Sequence, residues 1–147
     1  MPRALRAFPF FCFSAHNTIR RMGCILVIDD HAETVKPLLR LLQMEGYVAN
    51  GASNAFEALA AVQHSPPDLI LLDVMIPPID GLTFLMRLRE EPKTRQIPVI
   101  VVSGLSDPQT MARARDLGVR EIFIKTQFTP GELLAAIARN IGPQSEK

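Results

Sequence analysis

The chain has 147 residues, 16 basic and 15 acidic side chains, a formal net charge of +1 and a composition that is 48% hydrophobic and 21% charged. That size suits one compact domain with a single core, and the balance excludes a disordered chain or a strongly basic nucleic-acid binder, while no apolar stretch approaches the roughly 18 residues a membrane-spanning helix needs. Cys12 and Cys24 are the only cysteines, with no CxxC pair or Cys/His cluster, so neither a disulfide framework nor a zinc centre is indicated and a reducing, cytoplasmic setting is expected.

Residues 1–22 carry Arg3, Arg6, Arg20 and Arg21 and no acid, which leaves 12 basic against 15 acidic side chains in the rest, a formal net charge of −3. The segment imitates a secretory signal only weakly and is broken by Pro9, so it reads as a flexible extension, or as a start placed upstream of Met22. Val27 stands where an acylation signal wants serine or threonine, which argues against lipidation. The folded unit is expected over 23–142, with 143–147 as a short tail.

From Gly23 onward, apolar runs alternate with helix-period segments. Ile25, Leu26, Val27 and Ile28 run into Asp29 and Asp30. Val35, Leu38, Leu39 and Leu42 then recur at helical spacing, and Gly46 closes that helix. Pro37 is tolerated only in a first turn, which favours Thr34 over His31 as the N-cap. Residues 47–50 read as a short, more polar strand suited to a sheet edge. Asn54 caps a helix with Ala55, Ala58, Leu59 and Val62 on one face. Pro66-Pro67 then precedes the apolar run Leu69, Ile70, Leu71 and Leu72, which ends on Asp73.

Pro77-Pro78 marks a loop, and 81–90 reads as a helix with Leu82, Leu85 and Met86 inward. Pro92 and Pro98 bracket the connection to Val99, Ile100, Val101 and Val102, which end on Ser103. Asp107 can cap a helix that runs through Leu117 and stops at Gly118. Ile122, Phe123 and Ile124 lead into Lys125, and Thr129 with Glu132 makes a capping box for a last helix carrying Leu134, Ile137, Ala138 and Ile141.

Three of the five strands are apolar at every position, as expected when helices cover both faces of a sheet. Helix-length crossovers between short strands require a parallel, right-handed arrangement, so the fold class is α/β with a doubly wound five-stranded sheet. Ligands in such sheets bind outside the carboxyl ends of the strands. Asp29, Asp30, Asp73, Ser103 and Lys125 would converge there. Like charges about 4 Å apart cost ~1 kcal/mol in water and ~4 kcal/mol near a protein surface, so three carboxylates call for a hard cation such as Mg²⁺. The plainer reading has one aspartate capping the first helix and another pairing with Lys125. It would prevail for a lone aspartate, but an Asp pair and a third Asp, all directly after apolar strands, favour a site. Lys125 supplies a point charge suited to a phosphoryl group, and Ser103 a hydroxyl followed by Gly104. His16, His31 and His64 read as isolated surface residues, and there is no GxxxxGK loop or GxSxG elbow.

The Ile25–Ile28 run with Asp29 and Asp30, the stretch from Asp68 through Asp73, Pro77-Pro78 and Gly81, the Val101-Val102-Ser103-Gly104 end and Lys125 together resemble the receiver domain of two-component response regulators. The resemblance spans 23–141 and implies the flavodoxin-like strand order 2-1-3-4-5. It implies that Asp73 accepts a phosphoryl group from a sensor histidine kinase or a histidine phosphotransfer protein. Asp29, Asp30, Asp73 and the Met75 carbonyl would hold Mg²⁺, and Ser103 and Lys125 would serve the transfer. Phosphorylation adds roughly −1.5 to −2 charges at one point, and Ser103 would follow the new oxygens and shift the helix over 107–117. Two positions depart from the family pattern: Ile122 stands where an aromatic switch residue is usual, and Thr126 where proline usually follows the lysine. Met75 and Leu105, apolar and flanking the path of attacking water, imply slow self-dephosphorylation. The message is expected to pass from a stand-alone receiver to a downstream protein, not to nucleic acid or membrane, through a face that includes Arg113, Arg120 and Phe128, with phosphorylation-dependent dimerisation left open. The rival reading is an interaction module that keeps the fold and no longer switches. A small hydrolase on the same fold is a third.

Overall fold

A computed structural model describes residues 23–76, 80–104 and 107–141. The expectations for residues 1–22, the Pro77-Pro78 loop, Leu105 and residues 143–147 lie outside the described residues. Five strands, β1 (Cys24–Ile28), β2 (Val48–Ala52), β3 (Leu69–Leu72), β4 (Val99–Ser103) and β5 (Glu121–Ile124), alternate with five helices, α1 (Ala32–Met44), α2 (Ala55–His64), α3 (Gly81–Glu90), α4 (Pro108–Asp116) and α5 (Pro130–Ile141). The strands form one sheet in the order β2-β1-β3-β4-β5, which the resemblance implies, and every pair is parallel, as the helix-length crossovers require.

Successive side chains on a strand point to opposite faces, and the two faces bury different sets. Leu26, Ile28, Ile70, Leu72, Val99 and Val101 face one core with α2, α3 and α4. Ile25, Val27, Leu69, Leu71, Ile100 and Val102 face the other with α1 and α5. Fully burying a side chain of this size is worth about 1.5–3 kcal/mol, so a one-residue slip of any central strand would exchange the two sets and lose the fit on both sides.

The helix ends follow local chemistry. Asn54, Asp80 and Asp107 each accept a backbone N–H at the N-terminus of α2, α3 and α4. Thr129 and Glu132 form the reciprocal capping box of α5. Gly46 and Gly118 take positive φ just past α1 and α4, where a side chain would be strained.

Three helix expectations are corrected. The N-cap of α1 is His31, not Thr34, and Pro37 lies inside the helix. Proline there removes only the bond to the Glu33 carbonyl, and both residues are exposed, so water can take the place of the missing partner. On α3 Met86 is 41% exposed, whereas Phe84 and Leu88 are buried beside Leu82 and Leu85. On α5 the buried stripe is Leu133, Ala136 and Ile137, with Leu134 and Ile141 half-buried and Ala138 exposed.

Candidate functional site at the carboxyl edge of the sheet

Register brings the polar strand ends together. Ile28 pairs with Leu72, so Asp29 and Asp73 follow at the same level, and the Asp73 N–H donates to the Ile28 carbonyl at 2.9 Å. Ser103 pairs with Ile124 on β5, and the Lys125 N–H donates to the Ser103 carbonyl at 2.8 Å.

Asp73 is the hub. Its carboxylate is buried at 3% exposure; Oδ1 accepts from the Ser103 hydroxyl at 3.1 Å and from the Met75 N–H at 2.9 Å, and Oδ2 faces Lys125 Nζ at 3.1 Å. The same ammonium lies 2.7 Å from Asp29 Oδ2, itself buried at 4%. Burial works against the charged form of Lys125, but the hydrogen bonds to Asp29 and Asp73 and their negative charge outweigh it and raise its pKa. Met75 is half-exposed and sends its backbone N–H toward Asp73.

Asp30 is more exposed and reaches the same corner. The expectation that His31 is an isolated surface residue is overturned. Its backbone N–H donates to Asp29 Oδ1 at 2.9 Å, and its Nδ1 lies 3.0 Å from Asp29 Oδ1 and 3.2 Å from Asp30 Oδ1. The hydrogen bond to Asp29, followed by the charges of Asp30 and Asp29, raises the imidazole pKa. One ligand atom from each of Asp29, Asp30, His31 and Asp73 lies within 4.8 Å of the others. The signal in the sequence that points to His31 is its place directly after the acid pair, at the start of a helix.

The donor set tests the fit to Mg²⁺. Three carboxylates face one lysine ammonium, and hard carboxylate oxygens at this spacing are what a small divalent cation binds. The two departures are also visible. Ile122 is half-buried against the α2–α3–α4 core. Thr126 has φ of 69°, which a proline locked near −65° cannot adopt, so the turn after Lys125 takes a path closed to the residue usual there. Phe128 is half-buried edge-on against Phe123, with ring centroids 5.1 Å apart, and so belongs to the packing rather than to a free surface. Arg113 is exposed on α4; Arg120 is exposed ahead of β5, at the opposite edge of the sheet, with Nη1 3.4 Å from Asn140 Oδ1.

A doubly wound sheet with buried aspartates and a lysine at its carboxyl edge defines an α/β class with a charged site outside its strand ends, and sequence comparison identifies the family. The sequence model of the response regulator receiver domain matches residues 25–138, and the chain belongs to that family. It is 33% identical over 122 residues to the phosphate regulon transcriptional regulatory protein PhoB of Pseudomonas aeruginosa, covering 81% of this chain and 53% of that protein. It is 36% identical over 101 residues to the response regulator PleD of Caulobacter vibrioides, covering 69% and 22%. The chain thus spans about half or less of these curated relatives. Among solved structures, the chemotaxis protein CheY4 of Vibrio cholerae superposes with a TM-score of 0.75 at 26% identity, covering 81% of this chain and 98% of that one. The signal receiver domain of a histidine kinase from Syntrophus aciditrophicus gives 0.74 at 30% identity, covering 82% and 90%. This is a receiver domain of two-component signalling. None of the helices among the described residues is long and apolar enough to cross a membrane.

Proposed function

We propose that Asp73 accepts a phosphoryl group from a phosphohistidine on a sensor histidine kinase or histidine phosphotransfer protein. The observation that carries this reading is the buried Asp73 carboxylate, ringed by Ser103 Oγ, Lys125 Nζ and the Met75 N–H at 3.1 Å or less. An Asp73 oxygen attacks phosphorus, an O–P bond forms as the P–N bond breaks, and the released imidazole keeps the electron pair and takes a proton. Lys125 offsets charge on the transferring oxygens, and Ser103 offers them a hydroxyl. Asp29, Asp30, Asp73 and the Met75 carbonyl would hold Mg²⁺, which when bound supplies further neutralisation of that charge. The signalling unit is taken as 23–142, with residues 1–22 an extension or a start placed too early, in a cytoplasmic setting. It would pass its message to a downstream protein through the face that holds Arg113, with dimerisation on phosphorylation a further outcome to measure.

Incubation with acetyl phosphate and Mg²⁺, followed by intact-mass measurement, tests the chemistry. A Mg²⁺-dependent gain of one phosphoryl group that Asp73→Asn abolishes supports the reading; no gain, or a gain that survives the substitution, overturns it. Met75 beside Asp73 supports slow hydrolysis, and a phosphoryl lifetime of seconds in purified protein would contradict that. Ile122 and the left-handed Thr126 favour a second reading, in which the domain is modified without moving its output face. Amide exchange in α4 and β5 that is unchanged on full phosphorylation would select it.

A further inference from the structure

We infer that His31 is a ligand of the divalent cation, giving the site a nitrogen donor and a preference for borderline transition ions such as Mn²⁺ over Mg²⁺. This rests on the metal site of the proposed function and concerns its selectivity. In an octahedral shell with bonds near 2.1 Å, adjacent ligand atoms lie about 3.0 Å apart and opposite ones about 4.2 Å apart. His31 Nδ1 lies 3.0 Å from Asp29 Oδ1 and 3.2 Å from Asp30 Oδ1, the lengths of two edges of such an octahedron. With an Asp73 oxygen, all four atoms fall within 4.8 Å of one another, so the widest pair has to draw in by about 0.6 Å (4.8 − 4.2) to sit on opposite corners.

The backbone prepares this placement. His31 is the N-cap of α1 with extended φ and ψ of −102° and 105°, and its N–H is tied to Asp29 Oδ1, which turns the ring back over the acid pair. Three consecutive residues can therefore present three donors to one face of a cation. On binding, Nδ1 gives its proton to solvent and offers its lone pair. Carboxylate oxygens suit magnesium, whereas imidazole nitrogen suits transition ions, so a mixed set tilts the balance toward the latter.

The test uses the full chain and Mn²⁺ as the probe, comparing wild type with His31→Asn, which retains a good N-cap residue and exchanges the nitrogen donor for an oxygen. Pulsed electron paramagnetic resonance should show coupling to a directly bound imidazole nitrogen in wild type and none in the variant. The ratio of Mn²⁺ to Mg²⁺ affinity, from competition titration, should fall about tenfold in His31→Asn. Mn²⁺ bound with only oxygen ligands, or an unchanged ratio, overturns the role of His31 and leaves the metal site standing. Failure of wild type and variant to bind either ion overturns both.

Discussion

The two edges of the sheet handle buried charge in opposite ways. At the amino edge, half-buried Arg89 from the end of α3 donates to the carbonyls of Leu117, Arg95 and Ile97 at 2.7–2.9 Å. Burial, with Arg120 nearby, lowers its pKa. Its acceptors are all neutral, so the guanidinium acts as a clasp between the α3–β4 and α4–β5 connections. At the carboxyl edge Lys125 is divided between two buried carboxylates, with a third close by. A charge enclosed by neutral dipoles holds structure, whereas an excess of negative charge at a corner attracts cations.

The sharpest way to break the contrast is Lys125→Met. Removing one partner of a buried ion group leaves the others uncompensated, and a loss of about 3 kcal/mol in urea unfolding is expected without divalent ions, shrinking as Mg²⁺ is added. Arg89→Met should cost about 2 kcal/mol, because carbonyls lose charge-assisted bonds, and that loss should not respond to Mg²⁺. Equal sensitivity of the two variants to Mg²⁺ would erase the distinction drawn between the edges. Thr126→Gly should stabilise by about 1 kcal/mol in thermal unfolding, since a β-branched residue at positive φ is strained. The smallest effect is expected at Glu121, whose carboxyl is held below its usual pKa by the Arg139 hydrogen bond, opposed by partial burial. A lowered folded-state pKa contributes stability above the ordinary value of 4.5 and loses it as pH falls through the folded-state value. The stability gap between wild type and Glu121→Gln should therefore close on acidification below pH 4.5.

Much of the fold was legible because β1, β3 and β4 are apolar along their cores and each runs into a polar residue, which fixes both the strand and the place where its chemistry begins. The caps at Asn54, Asp107 and Thr129 were legible because capping depends on a few adjacent residues. Harder to read were helix faces with more than one apolar stripe. Leu133 and Leu134 are adjacent and equally apolar, and only packing against the sheet selects the stripe with Leu133 and Ala136 and leaves Ala138 outside. On α3, packing likewise buries Phe84 and Leu88 and leaves Met86 exposed. Pro37 misplaced the start of α1 because a proline rule weighs the lost bond without knowing whether water can reach the bare carbonyl. The relation of His31 to the acids depended on a turn of two residues that no periodicity reports.

Gly81 sets a limit on what can happen beside Asp73. Its N–H donates to the Val74 carbonyl at 2.9 Å, and a Cβ at this position would stand 2.5 Å from the Val74 Cα. Any larger residue must push the start of α3 away from the end of β3. Val74, directly after Asp73, and the first residue of α3 are therefore clamped together, so the amino end of that helix and the backbone beside the aspartate move as one body.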